Sequence, residues 1–184
     1  MRYEITQSHF SYDDIECEEL VTITYRSSSR YVLGTQAVSV DELDDIVRDI
    51  RCGKLIGLEV YAYVHSDAMI ATSKTGNPFS CKFDSGLSGI AYMTREDAMK
   101  NFGKEGDMRL TSNIKGAAEK YIESVVRTFS AYLEGDVWDI VIYDDEDNVV
   151  DSCGGYVGSR FAEEQAQVML NNCIRNNCPI SKES

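Results

Sequence analysis

Hydrophobic positions along the chain follow two periodicities. Short runs rich in β-branched and aromatic residues predict strands, and apolar residues at helical spacing predict helices. Strands are predicted over 20–25, 58–64, 89–93, 137–143 and 149–150, and helices over 40–50, 94–103, 112–133 and 159–176. This order predicts a single α+β domain, a mostly antiparallel sheet of about five strands with three to four helices packed on one side of it.

The strongest local signal marks the start of the first helix. Ser39-Val-Asp-Glu42 is a capping box, in which the serine oxygen accepts from a first-turn amide and the glutamate reaches back to the cap. Gly53 is placed to end this helix. A second capping position, Ser112, is expected to open the long helix that runs to Leu133.

Segments without periodicity complete the domain plan. Residues 1–19 are polar and acidic and are predicted to form an N-terminal arm, followed by one domain over 20–178 and a tail over 179–184. Residues 65–84 are predicted to be a long loop, and loops of that length inside a domain are either functional or mobile.

Composition narrows the class of protein. The chain has 184 residues, 43% of them hydrophobic, with two prolines, which is typical of a globular protein. No apolar run reaches the roughly 18 residues of a membrane span, and residues 1–20 lack the apolar core of a signal peptide. We therefore expect a cytoplasmic protein with no membrane partner. Without an export signal, the six cysteines are expected to be reduced thiols. The absence of a CxxC pair and the presence of only two histidines argue against a zinc site, and we expect neither a metal nor a cofactor.

Charge is the most unusual property of the sequence. Asp and Glu total 31 against 18 Lys and Arg, a formal net charge of −13. Such a chain repels nucleic acid at long range, so we expect no direct binding to nucleic acid and a protein partner with a basic surface. Solubility alone is the simpler explanation of the same charge.

Acidic residues concentrate at 13–19, in the helix at 41–49 and in the hairpin turn at 144–147. A surplus of 13 charges equals that of roughly 22 Å of duplex DNA, which favours mimicry of nucleic acid if the carboxylates share one face. The predicted partner-binding residues are Asp41, Glu42, Asp44, Asp45, Asp49, Asp144, Asp145, Glu146 and Asp147.

Two similar segments, 84–89 and 151–155, each begin with Asp-Ser and contain glycines. The structural interpretation is a pair of tight turns near strand ends. The functional alternative is a small metal- or thiol-dependent enzyme in which Asp84 and Asp151 meet beside Cys81 and His65. No P-loop, GxSxG or HExxH motif is present, so an enzyme is not the leading hypothesis.

Four further features occur within residues 55–165: a strand ending in His65-Ser66, the turn Cys81-Lys-Phe83-Asp84-Ser85-Gly86, the strand starting at Gly89 and the Asp151-Ser-Cys153 segment. With these features the region resembles a group of small acidic proteins encoded by phages and mobile elements. In that group a tryptophan usually stands at Phe83, and an aromatic residue often stands at Gly154. The resemblance implies an accessory phage protein, similar to inhibitors of host defence such as anti-restriction and anti-CRISPR proteins.

The leading hypothesis is therefore a non-enzymatic phage or mobile-element protein that acts in the host cytoplasm. It would bind and inhibit a host defence protein whose basic surface handles nucleic acid. A structural or replication accessory protein is a third alternative, and a homodimer is left open.

Overall fold

The computed structural model describes residues 1–8, 20–65, 68–104 and 109–177. These residues form eight strands and four helices. The strands are β1 (Arg2–Gln7), β2 (Thr22–Arg26), β3 (Gln36–Val38), β4 (Leu55–Val64), β5 (Ala68–Ser73), β6 (Ser85–Thr94), β7 (Val137–Tyr143) and β8 (Val149–Val157). The helices are α1 (Val40–Arg51), α2 (Arg95–Phe102), α3 (Ser112–Leu133) and α4 (Ser159–Asn177).

The predicted α+β class with mostly antiparallel strands is confirmed. In place of one sheet, the described residues form a five-stranded sheet of order β3-β2-β6-β4-β5 and a three-stranded sheet of order β1-β7-β8. The contacts divide the chain into two compact units, residues 15–134 and residues 1–14 with 135–184. The five-stranded sheet belongs to the first unit and the three-stranded sheet to the second.

The five-stranded sheet carries helices on both of its faces. Along β6, Ala91 and Met93 belong to the core cluster that includes α3, whereas Ile90 and Tyr92 belong to the cluster under α1. Successive strand residues point to opposite faces, so these alternating contacts place α1 and α3 on opposite sides. The prediction that all helices lie on one side is wrong, because β6 is apolar on both faces and can be covered twice.

The three-stranded sheet is covered by α4. Ile140 and Ile142 of the central strand β7 are fully buried, and they pack with Ala166 and Cys173 of α4. The apolar periodicity of 159–176 therefore correctly predicted a helix, and of its predicted inward residues Phe161, Ala162, Ala166, Met169, Leu170 and Cys173 only Phe161 is exposed.

The predicted acidic arm over residues 1–19 is wrong for its first part. Arg2–Gln7 form β1, which pairs antiparallel with β7 in the register Arg2–Tyr143 to Gln7–Trp138. Tyr3 and Ile5 contribute to the core below the sheet. Residues 9–19 of the predicted arm, and the predicted tail over 179–184, lie outside the described residues.

The predicted loop over 65–84 is interrupted by a strand. β5 (Ala68–Ser73) pairs with β4 from Glu59–Ser73 to Val64–Ala68, leaving 74–84 as the connection to β6. The prediction that the two Asp-Ser segments form tight turns is also wrong, because Ser85–Gly89 lies within β6 and Asp151–Gly155 lies within β8. Both segments lie beside a shift of the strand register and not at a reversal of the chain.

The helix starts agree closely with the sequence. The capping box at Ser39 and Glu42 is confirmed, and Thr94 caps α2 by accepting from Asp97 N–H. The cap of α3 is Thr111, one residue before the predicted Ser112. Cys52, Cys81, Cys153 and Cys173 are free thiols. Among the residues that the structure describes, no helix combines the length and the apolar character needed to cross a bilayer.

Helix α3 contains one glycine, Gly116, whose replacement is expected to stabilise the protein. A Cβ added at Gly116 would meet nothing within 4 Å. We expect Gly116→Ala to raise the free energy of unfolding by about 0.5–1 kcal/mol, because glycine is the weaker helix former. Urea denaturation monitored by circular dichroism measures this change, and a loss of stability would show that α3 is constrained at Gly116 in a way that its packing does not reveal.

Candidate functional site

The inner face of α1 is fixed on the five-stranded sheet. Leu43 is buried with Val38 and Ile90, and Ile46 and Val47 pack around them. Because this apolar stripe holds the helix on the sheet, its predicted partner-binding residues are turned away from the core. Of these, Asp41, Glu42, Asp44 and Asp45 are exposed and Asp49 is half-buried.

Three of the five carboxylates of α1 form hydrogen bonds or ion pairs with residues of the helix itself or of the segments next to it. The backbone N–H of Ser39 donates to Glu42 at 2.7 Å, and this bond, with a second from the Ser39 hydroxyl, lowers the pKa of Glu42. Asp45 pairs with Arg48 at 2.9 Å, and Asp49 pairs with Lys54 at 2.8 Å. Exposed pairs of this kind contribute little stability, but they reduce the local negative charge.

Asp41 and Asp44 are the acidic residues of α1 that remain for an external partner. They are three positions apart, so their side chains are neighbours on the helix surface. Among the described residues, neither carboxylate forms an ion pair or a hydrogen bond through its side chain. The acidic face of α1 is defined here as these two residues together with Asp45.

The second predicted acidic segment, Asp144–Asp147, is largely committed to its own turn. Asp144 accepts from the side chain of Asn148 at 3.0 Å and from the backbone N–H groups of Asn148 and Glu146 at 2.9 and 2.8 Å. These donors, the Asn148 side chain foremost, lower the pKa of Asp144. Asp147 adopts a positive φ of 63° and accepts from Arg2 at 3.1 Å.

Arg2 connects this turn to the edge strand β1. Its guanidinium lies 4.3 Å from the centre of the Tyr143 ring, and the hydrogen bond to Asp147 raises the pKa of Arg2. The terminal ammonium of Met1 donates to Asp145. Glu146 is exposed and keeps its side chain clear of these contacts. The sequence pattern identified the charges of this turn but not the structural roles that occupy most of them.

The proposed enzymatic residues are divided between the two units. In unit 15–134, the thiol of Cys81 donates to Asp84 at 3.3 Å, and exposed His65 follows the last residue of β4. Asp151 belongs to the other unit, where its carboxylate accepts from the N–H of Ser152 at 2.9 Å. A nucleophilic cysteine is typically activated by a neighbouring imidazole or cation, whereas the hydrogen-bond partner of the Cys81 thiol is the anionic carboxylate of Asp84. Within the described ranges, no three His, Cys, Asp or Glu side chains converge as a metal site.

The connection 74–84 presents a residue that the site prediction omitted. Phe83 is fully exposed. The rest of the connection is ordered by internal contacts: Asn77 donates to Ser85 at 2.8 Å and accepts from the N–H of Phe79 at 3.0 Å. The ring of Phe79 packs 5.8 Å from that of Tyr63. An exposed aromatic residue on an ordered loop is typical of interaction surfaces. The polar residues around Phe83 in the sequence are the signal that could have indicated its exposure.

A second omitted feature is a cleft at one end of the five-stranded sheet. It has a volume of about 230 Å³ and lies between the end of β2, the loop that follows it and the start of β6. Arg26, Ser28 and Ser29 line one side, and Asp84 and Ser88 line the other. The Asp-Ser segment 84–89 lines one part of this cleft, but the sequence does not indicate that it meets Arg26 and Ser28, about 60 residues away along the chain.

Comparison with known proteins returns no relative: no protein-family model, curated protein or solved structure matches the chain. The class that the structure defines is therefore an α+β protein with an acidic helix on one face of its larger sheet. The resemblance to phage and mobile-element proteins stays a prediction.

Proposed function

We propose that this protein binds and inhibits a host protein that handles nucleic acid, with the acidic face of α1 as the contact surface. In this proposal the chain is an accessory protein of a phage or mobile element and acts in the host cytoplasm without a catalytic step. The target class is a CRISPR effector or a restriction enzyme with a basic groove. The observation that carries the proposal is that Asp41 and Asp44 are exposed and have no side-chain partner among the described residues, on a helix whose opposite face packs on the sheet.

Magnitudes limit how far the helix can imitate nucleic acid. The 12 residues of α1 span roughly 18 Å, at about 1.5 Å per residue. Duplex DNA of that length carries about ten charges, whereas α1 carries five carboxylates and three of them are engaged. The helix therefore supports a local electrostatic contact, which steers and orients a basic partner, more than a full copy of a duplex.

The hairpin turn has a smaller role in this proposal than its composition indicates. Asp144 and Asp147 stabilise the turn, so their replacement would disturb β7 and β8 as well as the surface charge. Glu146 is the member of the turn whose change tests charge alone. A partner contact at the turn would therefore show itself through Glu146.

The decisive variant is Asp41→Lys with Asp44→Lys. The tagged protein is first used to capture and identify a host partner, at low and at high salt. We expect the double variant to weaken the measured affinity for that partner at least tenfold, about 1.4 kcal/mol, because attraction becomes repulsion. We also expect the affinity of the unaltered protein to fall as salt rises, because screening shortens the reach of exposed charges to about 8 Å at physiological ionic strength.

A matched control applies the same change in net charge elsewhere. Glu123 and Glu164 are exposed on α3 and α4. Glu123→Lys with Glu164→Lys should leave the affinity within about twofold, since distant exposed charges are screened. Equal losses in both variants would show that only net charge matters, and an unchanged affinity in the first variant would remove α1 from the interface. A captured replication or structural protein that binds independently of salt would favour the accessory alternative.

A further inference from the structure

The cleft at the end of the larger sheet lies where the pairing of β2 with β6 stops and the pairing of β2 with β3 begins. β2 pairs with β6 at Thr22–Tyr92 and Ile23–Ala91, and it then pairs with β3 from Thr24–Gln36 to Arg26–Val38. Where the strands part, the Thr24 hydroxyl donates to the Ile90 carbonyl at 2.8 Å and accepts from the Ile90 N–H at 2.9 Å. Beyond that point β2 and β6 diverge, and the cleft occupies the space between them.

The two walls of the cleft place Arg26 and Ser88 on facing strands. Continuing the antiparallel register from Ile23–Ala91 would bring Arg26 opposite Ser88. Both residues line the cleft. The guanidinium of Arg26 is exposed at the end of β2, whereas Ser88 is 7% exposed. A cation on one wall thus accompanies a deeply placed hydroxyl on the other.

Ser88 is an unusual residue in this sheet. Val60 pairs with Gly89 and Tyr61 pairs with Leu87, so Ser88 is the extra residue of a β-bulge. Its hydroxyl is buried and has no hydrogen-bond partner within the described part of the chain. Buried hydroxyls are nearly always paired, and bulges commonly direct a side chain into a functional site. The missing partner of Ser88 is therefore expected to come from a molecule in the cleft.

We propose that this cleft binds a carboxylate carried on a short apolar chain. The planar guanidinium of Arg26 matches a carboxylate with two parallel hydrogen bonds, and the hydroxyls of Ser88 and Ser28 can donate to the same group. The Ser29 hydroxyl already donates to the Tyr31 carbonyl at 2.8 Å. Asp84 lines the same cleft and repels anions, a doubly charged phosphate about twice as strongly as a singly charged carboxylate.

The dimensions and apolar lining define the remainder of the ligand. Leu33, Ala62, Val64 and Leu87 line the cleft and suit an alkyl chain. A volume of about 230 Å³ is below the roughly 300–1,000 Å³ of sites for drug-sized ligands. The occupant is a small acid or one carboxylate-bearing residue of a polypeptide. This binding does not depend on the function proposed for α1.

Butyrate and butyramide test the proposal, because they have similar shapes and differ in charge. Titration into the isotopically labelled protein at constant ionic strength, followed by backbone amide resonances, measures binding. Butyrate is expected to bind at least tenfold more tightly than butyramide. Its binding should shift the resonances of residues 26–29 and 84–88. Equal binding of both compounds, or tighter binding of inorganic phosphate than of butyrate, would overturn the proposal.

Two variants assign the contacts. Arg26→Gln should weaken butyrate binding at least tenfold, whereas Arg127→Gln, an exposed arginine on α3, should leave it unchanged. Ser88→Ala should weaken binding about threefold without lowering the unfolding temperature, because the hydroxyl has no hydrogen bond to lose in the part of the chain that the structure describes. Unchanged butyrate binding in both cleft variants would contradict the assignment, as would a drop in stability of Ser88→Ala.

A comparison of probes identifies the source of the carboxylate. Phe83 directly precedes cleft-lining Asp84, so it can contact a polypeptide that continues past the cleft but not butyrate. A short peptide of alternating leucine and glutamate should bind more tightly than butyrate and lose that advantage in Phe83→Ala if the source is a polypeptide. Equal affinities, unaffected by Phe83→Ala, assign the site to free small acids. Asp41→Lys with Asp44→Lys should leave both titrations unchanged, which separates this site from α1.

Discussion

Gly89→Ala is expected to destabilise the protein by on the order of 3 kcal/mol, the upper part of the range for an overpacked core. A Cβ at this position would lie 2.0 Å from the carbonyl oxygen of Thr24 and 2.6 Å from its carbonyl carbon. The obstacle is backbone in the centre of the sheet, so a change of side-chain rotamer cannot relieve it. Urea denaturation of the variant and of the unaltered protein measures the difference.

The same strand offers a matched control for this substitution. Gly86 also lies in β6, and a Cβ there would meet nothing within 4 Å. Gly86→Ala should change the free energy of unfolding by less than about 1 kcal/mol, as surface substitutions usually do. Equal losses in the two variants would attribute the effect to the general exchange of glycine in a strand, and would contradict a specific close approach between β2 and β6.

Thr24→Val is expected to lower the free energy of unfolding by roughly 3 kcal/mol. The substitution keeps the branched shape but removes the hydroxyl that both donates to and accepts from the backbone of Ile90. Thr24 is fully buried and Ile90 nearly so, which leaves the N–H and the carbonyl of Ile90 unpaired. Each unpaired buried group costs about 1–3 kcal/mol. Thermal and urea unfolding measure the loss.

Thr24→Ser separates the hydrogen bonds from the packing. Serine retains the hydroxyl and removes one methyl group, a loss of about 1 kcal/mol. If Thr24→Val loses no more stability than Thr24→Ser, then the pair of hydrogen bonds contributes no more than the methyl contact, which would contradict this prediction.

Local signals in the sequence predicted local structure well. Ser39 and Glu42 predicted the start of α1 correctly because a capping box is complete within four residues. The apolar spacing in α3 and α4 was equally sufficient, since each helix forms its hydrogen bonds within itself. The hairpin of β7 and β8 followed from two strand patterns separated by a short polar turn.

Strands whose partners lie far along the chain were harder to predict. β1 alternates only Tyr3 and Ile5 with polar residues, and its partner β7 lies more than 130 residues away. The sequence predicts a loop in place of β5 because Ala68–Ser73 is short and weakly β-branched. Its pairing with β4 nevertheless makes it a strand. Tertiary pairing outweighed local preference in both cases.

The candidate sites show the same difference between features set by local sequence and features set by long-range pairing. The charges of α1 and of the turn were visible in the sequence, but the ion pairs that engage Asp45, Asp49 and Asp147 were not. The cleft was not predictable, because it depends on the point at which β2 leaves β6 and on a bulge that buries Ser88. A serine in a run of glycines gives no indication that its hydroxyl will be buried without a partner.

The pairing of β1 with β7 has a consequence for how the chain folds during synthesis. Arg2 pairs with Tyr143, so β1 must wait for 141 further residues to be translated before its partner exists. At about 5–20 residues per second, that delay is roughly 7–28 s. The continuous segment 15–134 can complete its own sheet within that interval, while β1 remains an unpaired edge. Its alternating charges, Arg2 and Glu4, are the residues suited to keep such an edge from pairing with other chains.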